Sequence, residues 1–425
     1  MPLEPFASAK ALLAKHLDAG PGVPIAVGFS GGSDSLAALI AVLAFAKPQG
    51  RKVLALTVDH DLQPQSRAWT KHCAQVAGRL GAVPISLVWA DNRPTSLSSL
   101  PALARQARHR LLAKAARQHG ARVLVLGHTQ TDRAESDWMR DRGTNLGQLR
   151  QWSPSPVWPE GRDLFVLRPL LDMDRRALRV SLTALGHDWI DDPANLDLRY
   201  GRSRARKALT HEARDSAPMP EAGTYWPADM GGYAHLGALC LDRQALRRAP
   251  DGLAAFTARA LLCVGGAYKT VRGHSLARLE AQLRGEAGFA ATLSRVKVSA
   301  NDHSVWIVRE GPRAGQQVDT GLQDQVWDGR FEVEGLAADQ VLTPLKGYAK
   351  ALSPSERAWL SALPAQLRPS LPVVFAPGKP TSLPQFVGGP ELTEINCIQV
   401  RSLLLPRLMA ACGQIRTEKD LLIEP

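Results

Sequence analysis

The sequence predicts an α/β fold: a doubly wound parallel sheet of about five strands, then a helical middle domain and a small C-terminal region with β structure. Two observations predict the sheet. Short apolar runs rich in Val and Ile recur without alternation, as in strands buried on both faces, and a stretch with helical spacing separates each from the next. A third observation, period-2 alternation over residues 289–335, predicts hairpins further on.

The predicted strands are 25–30, 53–58, 85–89, 123–127 and 164–167, and the helices 34–46, 67–80, 100–118, 132–142 and 175–185. In such a sheet ligands bind beyond the carboxyl ends of the strands. A second zone opens near residue 205. Residues 216–234 are rich in Pro, Gly and Met and read as a linker, and 235–285 carry Leu and Ala at helical spacing. The stretches ATLSRVKVSA, HSVWIVRE and VWDGRFEVEG alternate as hairpin strands, and residues 340–425 are punctuated by proline. Three domains are therefore expected, 1–210, 211–288 and 289–425.

Composition narrows the function. The chain has 425 residues and a net charge of +12, which favours a polyanionic partner such as nucleic acid. The apolar run Leu36 to Ala46 is too short to span a bilayer, and the N-terminal stretch MPLEPFASAKALLAKHL lacks the apolar segment of a signal peptide. A cytoplasmic protein with no membrane association is expected. Cys73, Cys240, Cys263, Cys397 and Cys412 are scattered, odd in number and form no CxxC, which argues against a disulfide framework or structural zinc and for small core residues.

The stretch GFSGGSDSLAAL, residues 28–39, lies between the first predicted strand and helix. A glycine-rich turn into a helix N-terminus presents backbone N–H groups with no intrahelical partner, and the helix dipole adds positive potential, so an anion fits there. Gly31 and Gly32 let the backbone approach a phosphate, and Ser30, Ser33 and Ser35 add hydroxyls. Asp34 is out of place in a phosphate cradle unless it holds a Mg²⁺ that bridges the phosphates. Two other readings exist: Ser33 or Asp34 as a plain helix cap, and Gly28-Phe29-Ser30-Gly31-Gly32 as the G-x-S-x-G turn of a hydrolase. The second leaves Asp34 unexplained.

SGGSDS resembles the pyrophosphate-binding loop of ATP pyrophosphatases that adenylate a carbonyl, and four more stretches single out one family among them. TVDHDLQPQSRAW (57–69), LARQARHRLL (103–112), LGHTQTDRAES (126–136) and DWIDDPANLDLRYGRSRAR (188–206), with Arg168-Pro169-Leu170 between the last two, are similar in order and spacing to motifs of the tRNA(Ile)-lysidine synthetases. The resemblance implies an adenine-nucleotide α-hydrolase-like domain over 1–210 and tRNA-binding parts over 211–288 and 289–425. It implies ATP and Mg²⁺ as cofactors, L-lysine and a CAU-anticodon isoleucine tRNA as partners, and is compatible with a homodimer.

The resemblance also implies site residues. Ser30, Gly31, Gly32, Ser33, Asp34 and Ser35 would bind ATP with Asp59, His60, Arg105 and Arg108, and Asp34 would hold Mg²⁺ through the phosphates. Asp132 and Glu135 would grip lysine, and Asp34, His128, Asp132 and Glu135 form the catalytic set. Arg199, Arg202, Arg204 and Arg206 would follow tRNA phosphates. The residue chemistry agrees. Asp132 and Glu135 lie three apart on one helix face, as do Arg105 and Arg108, and RYGRSRARK makes a basic track with one aromatic. The plain alternative for each set is a solvated helix face. The family's adjacent Asp pair appears as Thr131-Asp132 and the following Gln as Arg133; its Arg-Gly-Ser-Gly loop appears as Arg142-Gly143-Thr144-Asn145. Pro101, His109 and Ser203 replace the family's Glu, Tyr and Asn. A thiolation enzyme would need a catalytic cysteine pair and an amidotransferase a glutaminase domain, neither of which is apparent. A catalytically impaired tRNA-binding relative is the alternative that Thr131 and Arg133 raise.

Overall fold

The computed structural model describes residues 4–61, 65–89, 100–144, 147–191, 201–209, 231–249, 252–311, 321–376, 381–389 and 398–422. The chain forms two compact units, Met1–Glu221 with Ile415–Glu424, and Ala222–Gln414.

The first unit runs α1 (Glu4–His16), β1 (Ile25–Gly28), α2 (Ser33–Ala46), β2 (Val53–Asp59), α3 (Ser66–Leu80), β3 (Val83–Val88), α4 (Leu100–Gln118), β4 (Val123–Leu126), α5 (Gln130–Asp141), β5 (Trp152–Pro154), β6 (Phe165–Leu167), α6 (Arg175–Ala184) and α7 (Gly201–Leu209). The sheet has the order β3-β2-β1-β4-β6-β5. All neighbours are parallel except β5, which lies antiparallel along β6 at the edge. The five predicted strands and five predicted helices are all present; α1, α7 and β5 are additional. A three-residue strand ending in Pro154 carries no readable period.

Both faces of the sheet are covered, which is why β1 and β4 are apolar at every position. Leu13 of α1, Leu39 of α2, Cys73 of α3 and Leu178 of α6 share one core with Val27 and Val125. Leu112 and Ala116 of α4 share the other with Ala26, Leu124 and Val166. β1 pairs with β2 on one side and β4 on the other, so the chain reverses direction across the sheet at β1 and β4. The crevice at the carboxyl ends of those two strands is where such a sheet binds ligands.

Residues 415–422 return to this unit rather than ending in a C-terminal region, as the expected division at 289–425 had them. Arg51 makes two bonds, of 2.9 and 2.8 Å, to the Glu418 carboxylate, both side chains fully buried. The Trp152 indole donates to Ile415 O at 2.9 Å. A buried guanidinium needs a charged partner, and here it comes from the end of the chain.

The second unit runs β7 (Tyr233–His235), β8 (Ala238–Asp242), α8 (Arg243–Arg248), α9 (Leu253–Val264), α10 (His274–Arg284), β9 (Phe289–Leu293), β10 (Val296–Ala300), β11 (Ser304–Arg309), β12 (Leu322–Gln323), β13 (Val326–Trp327), β14 (Phe331–Glu334), β15 (Val341–Pro344), α11 (Pro354–Ala362), β16 (Pro372–Phe375), β17 (Gln385–Phe386), β18 (Gln399–Ser402) and α12 (Leu404–Ala411). One sheet is β7-β8-β11-β10-β9 and another β12-β13-β14-β18-β17. The hairpins expected over 289–335 form. The expected boundary at 288/289 does not separate two bodies: β8 pairs with β11 (Leu241 opposite Val305), and Leu261, Leu279, Val298 and Leu408 belong to one core. The first four residues of β8 are buried, so that strand has no alternation to distinguish it from helix. Most of the expected linker, 216–234, lies outside the described residues. Cys73, Cys240, Cys263 and Cys412 are free and buried, as expected of core residues; Cys397 lies outside the described residues.

Candidate active site

The site grows from two strand ends. After β1 the chain turns through Ser30 to Gly32 and enters α2 at Ser33, with Gly32 as the N-cap. Neither Ser33 nor Asp34 caps the helix, so the plain capping alternative does not hold. A glycine cap offers no side-chain acceptor, and the first-turn N–H groups are left to what enters the loop. Gly31 sits at φ 80, and a Cβ there would lie 2.7 Å from Ile190 Cδ1 and 2.9 Å from Cys73 Sγ. Only glycine fits both that conformation and that space. The hydroxyls fold the loop on itself: Ser30 N–H and Ser30 Oγ each lie 3.2 Å from Ser35 Oγ, which donates to Gly32 O at 2.9 Å. Ser33 donates to Asp34 Oδ1 at 3.1 Å.

After β4 the chain passes Gly127 and the half-buried His128 and enters α5 with Thr129 as its N-cap. A Cβ on Gly127 would stand 2.4 Å from Asp34 O, so this glycine allows the end of β4 to abut the first turn of α2. Asp132 and Glu135 both point inward and are buried, which rules out the solvated face. Asp132 Oδ2 accepts from Thr129 N–H at 2.9 Å and from its hydroxyl at 3.1 Å, a capping role besides any catalytic one. Glu135 Oε1 accepts from Arg206 Nε at 2.8 Å.

Two arginines of α6, which the sequence did not single out, complete the cluster. Arg175 Nε donates to Asp34 Oδ2 at 2.8 Å, while its Nη2 lies 2.7 Å from that oxygen and 3.2 Å from Asp132 Oδ2. One guanidinium thus bridges the carboxylates delivered by β1 and β4. Arg179 Nε donates to Ser33 Oγ at 3.2 Å and its Nη2 to Asp191 at 2.8 Å. Ile190 N–H bonds Gly31 O at 2.9 Å, which lays residues 189–191 against the loop. Burial holds the Asp34 carboxyl above its ordinary range, Arg175 opposes this, and Asp132 adds to it. Burial disfavours the Arg175 cation, but Asp132 and then Asp34 outweigh it and raise its pKa. The signal in the sequence was Arg175 and Arg179, four apart behind the helix cap Asp174.

The remaining expected residues divide. Asp59 is buried at the end of β2 and accepts from Asp61 N–H at 2.7 Å. His60 stands edge-on to Trp89, ring centroids 6.0 Å apart. Its pKa falls to about 4, chiefly through burial, then through the Arg108 charge, with Asp59 opposing. Arg105 and Arg108 are half-buried on α4. Arg204 is exposed on α7, whereas Arg206, expected on the tRNA track, turns to the buried Glu135. Arg199 lies outside the described residues, and of Arg202 only its place on α7 is described. Arg168 of the R-P-L stretch is buried and structural, donating to Arg150 O at 2.8 Å and Ser153 Oγ at 3.1 Å. Arg133 pairs with Asp172 instead of entering the Asp34–Asp132 cluster.

Residues 8–213 match the PP-loop domain model ATP_bind_3. The chain is 45% identical to a tRNA(Ile)-lysidine synthase of Caulobacter vibrioides, over 96% of this chain and 98% of that one. This chain belongs to the tRNA(Ile)-lysidine synthase family. A Mesorhizobium japonicum tRNA(Ile)-lysidine synthase is 31% identical over 90% of this chain and 89% of its own, and one from Hyphomonas neptunium 34% identical over 65% and 79%. The PP-loop match spans the glycine turn, both carboxylate-bearing helices and α7. Among the described residues no helix is long and apolar enough to cross a membrane.

Proposed function

We propose that this chain, as a tRNA(Ile)-lysidine synthase, uses ATP to join L-lysine to C2 of the wobble cytidine of a CAU-anticodon isoleucine tRNA. The observation that carries the reading is the meeting of an uncapped helix N-terminus with three buried or half-buried carboxylates, Asp34, Asp132 and Glu135, at the point where the sheet reverses. The N-terminus suits a polyphosphate, and the carboxylates suit cations. ATP lies with its phosphates along Ser30–Ser35 and its adenine toward Asp59 and His60. The cytidine C2 oxygen attacks the α-phosphorus and the bond to pyrophosphate breaks. The lysine ε-amine then attacks C2, and AMP leaves with that oxygen. The ammonium must lose a proton before it attacks, and His128, Asp132 and Glu135 are the groups placed to take it.

Mg²⁺ fits the donor set. Among the described residues no group of three or more His, Cys, Asp or Glu could hold a metal alone. Mg²⁺ asks for less, one or two carboxylates with substrate phosphates, and the Oδ2 atoms of Asp34 and Asp132 already converge on one cation. Asp34, with Asp132 beside it, would hold the ion, which when bound neutralises phosphate charge. The protein's own part is to place the phosphates on α2, orient Asp34 through Ser33, and keep Glu135 dry for an ammonium.

The test is incorporation of labelled lysine into an isoleucine tRNA transcript with a CAU anticodon, beside a methionine tRNA with the same anticodon. Labelling of the first alone is expected. Pyrophosphate release with no lysine incorporated would make the chain another adenylating enzyme. Neither reaction, with tRNA still bound, would make it an impaired relative and turn attention to Thr131 and Arg133.

A further inference from the structure

In the second unit, the antiparallel sheet β7-β8-β11-β10-β9 turns one face to helices and the other to water. Leu239, Val298 and Ile307 point to the core that α9 and α10 close. On the opposite face Tyr233, His235, Thr292 and Lys297 are exposed, and Ser299 and Trp306 are half-buried. Strand pairing sets that face in rows. Ser299 lies opposite Trp306, Trp306 opposite Cys240, and Cys240 opposite Tyr233. The small Cys240 between them lets the rings of Tyr233 and Trp306 meet at right angles, centroids 5.9 Å apart. Trp306 is seated on the apolar cluster of Ala238, Val308 and Leu367, while Tyr233 stays 54% exposed. We propose that this face binds an unpaired stretch of the tRNA, with a base stacked on the Tyr233–Trp306 pair and Lys297 on the adjoining phosphate. The proposal rests on the tRNA substrate inferred above.

The chemistry of the face favours RNA over a protein. Every base has a π face, so an exposed ring held in place by a second ring can stack any of them. Paired bases keep their faces against their neighbours, so the base that stacks is an unpaired one. Lys297 lies opposite Val308, two residues along β11 from Trp306, a diagonal that a long side chain spans. A protein-binding surface is depleted in lysine and serine, whereas a single-strand platform joins rings to a cation. Among the strand positions of this face the one carboxylate is that of Asp242, and it caps α8 by accepting from Ala245 N–H at 2.7 Å. The net charge of +12 draws the same polyanion to the chain as a whole.

The experiment measures the affinity of the full chain for an isoleucine tRNA transcript, a short single-stranded RNA and a blunt RNA duplex by fluorescence anisotropy. Wild type, Tyr233→Ala, Tyr233→Phe, Trp306→Leu and Lys297→Ala are compared. Tyr233→Ala and Trp306→Leu are expected to lose about tenfold in affinity for the tRNA and the single strand, with duplex and ATP binding unchanged. Tyr233→Phe keeps the ring and should match wild type. Lys297→Ala should lose a few-fold and lower the slope of log K against log salt by about one. A Tyr233→Ala protein that binds tRNA as tightly as wild type overturns the proposal. Equal losses on the duplex overturn the stacking role, since the face would then grip helical backbone. A wild type that dimerises where Tyr233→Ala does not, with tRNA affinity the same in both, gives the face to a second copy and overturns it too. If Trp306→Leu does not fold, Tyr233→Ala and Lys297→Ala decide. A wild type that binds no tRNA overturns the tRNA reading beneath the proposal, an outcome distinct from the others.

Discussion

Each unit of the molecule buries aspartate against arginine, with opposite charge ratios. In the first, Asp34 and Asp132 share Arg175. In the second, Asp328 is shared by Arg309, at 2.9 and 2.6 Å, and Arg330, at 2.9 Å, with Arg295 at 3.7 Å. The second cluster is tied into the backbone: Arg330 donates to Ser370 O at 2.8 Å and lies over the rings of Trp327 and Phe331. Burial disfavours the Asp328 charge, yet Arg330 and Arg309 outweigh it and hold the carboxyl below its ordinary range. Asp34 is held above that range. The second cluster, its buried guanidinium groups tied into the backbone, is built to stay, whereas in the first the carboxylates lie beside a helix N-terminus with no side-chain cap.

The largest expected effect separates the two at once. Asp34→Asn should lower adenylation by about a thousandfold, read as tRNA-dependent pyrophosphate release, and leave tRNA binding nearly unchanged without destabilising the fold. Asp328→Asn should do the reverse. It strands two buried guanidinium groups and should cost roughly 3 kcal/mol in urea unfolding, with turnover per folded molecule retained. A stable Asp328→Asn protein, or an unstable Asp34→Asn one, would erase the distinction.

The pH dependence sharpens it, because the signs are opposite. The folded chain holds a proton on Asp34 more firmly than the unfolded chain does, so ionisation above 3.8 costs stability that acidification restores. Asp328 holds its proton less firmly, so it adds stability above 3.8 that is lost as pH falls further. Urea midpoints of the two Asn variants against pH should therefore differ from wild type with opposite slopes. Parallel curves would mean that the two carboxylates sit in equivalent surroundings.

What the sequence could and could not say follows the same division. Asp34, Asp132 and Glu135 could be picked out because their pattern is local, a turn into a helix and an i,i+3 pair. Arg175 could not, since its role depends on a contact with Asp34, 141 residues away. By itself an i,i+4 arginine pair is an ordinary wet helix face. Arg206 misled for the converse reason: the run RYGRSRARK is basic throughout, but helical phase turns one of its arginines onto α5. The first sheet was legible because parallel strands announce themselves as unbroken apolar runs. β8 looks the same but is ringed by helical spacing, and only its pairing with β11 makes it a strand. The bond of Arg51 to Glu418 spans 367 residues and leaves no pattern.

His60 gives a smaller effect. Its ring stays neutral in the folded protein down to about pH 4, whereas in the unfolded chain it takes a proton near 6.5. Stability present above pH 6.5 should therefore drain as pH falls toward 4, by roughly 2 kcal/mol once solvent screening is allowed for. His60→Gln should remove that part of the slope. An unchanged slope between wild type and variant would mean that His60 is not shielded from water by Trp89 and α4.

The smallest effect tests where the basic run of α7 turns from site to surface. Arg204 and Arg206 are two residues apart on α7, one exposed and the other bonded to Glu135. If Arg204 follows a tRNA phosphate, Arg204→Ala should weaken tRNA binding a few-fold and reduce the slope of log K against log salt by about one. Arg206→Ala should leave that slope alone, because a guanidinium engaged with a buried carboxylate releases no counterion when RNA binds. Its effect should fall on the lysine step, as a raised KM for lysine, since Glu135 loses the partner that orients it. Equal salt slopes for the two variants would return Arg206 to the phosphate track and leave Glu135 to be positioned by α5 alone.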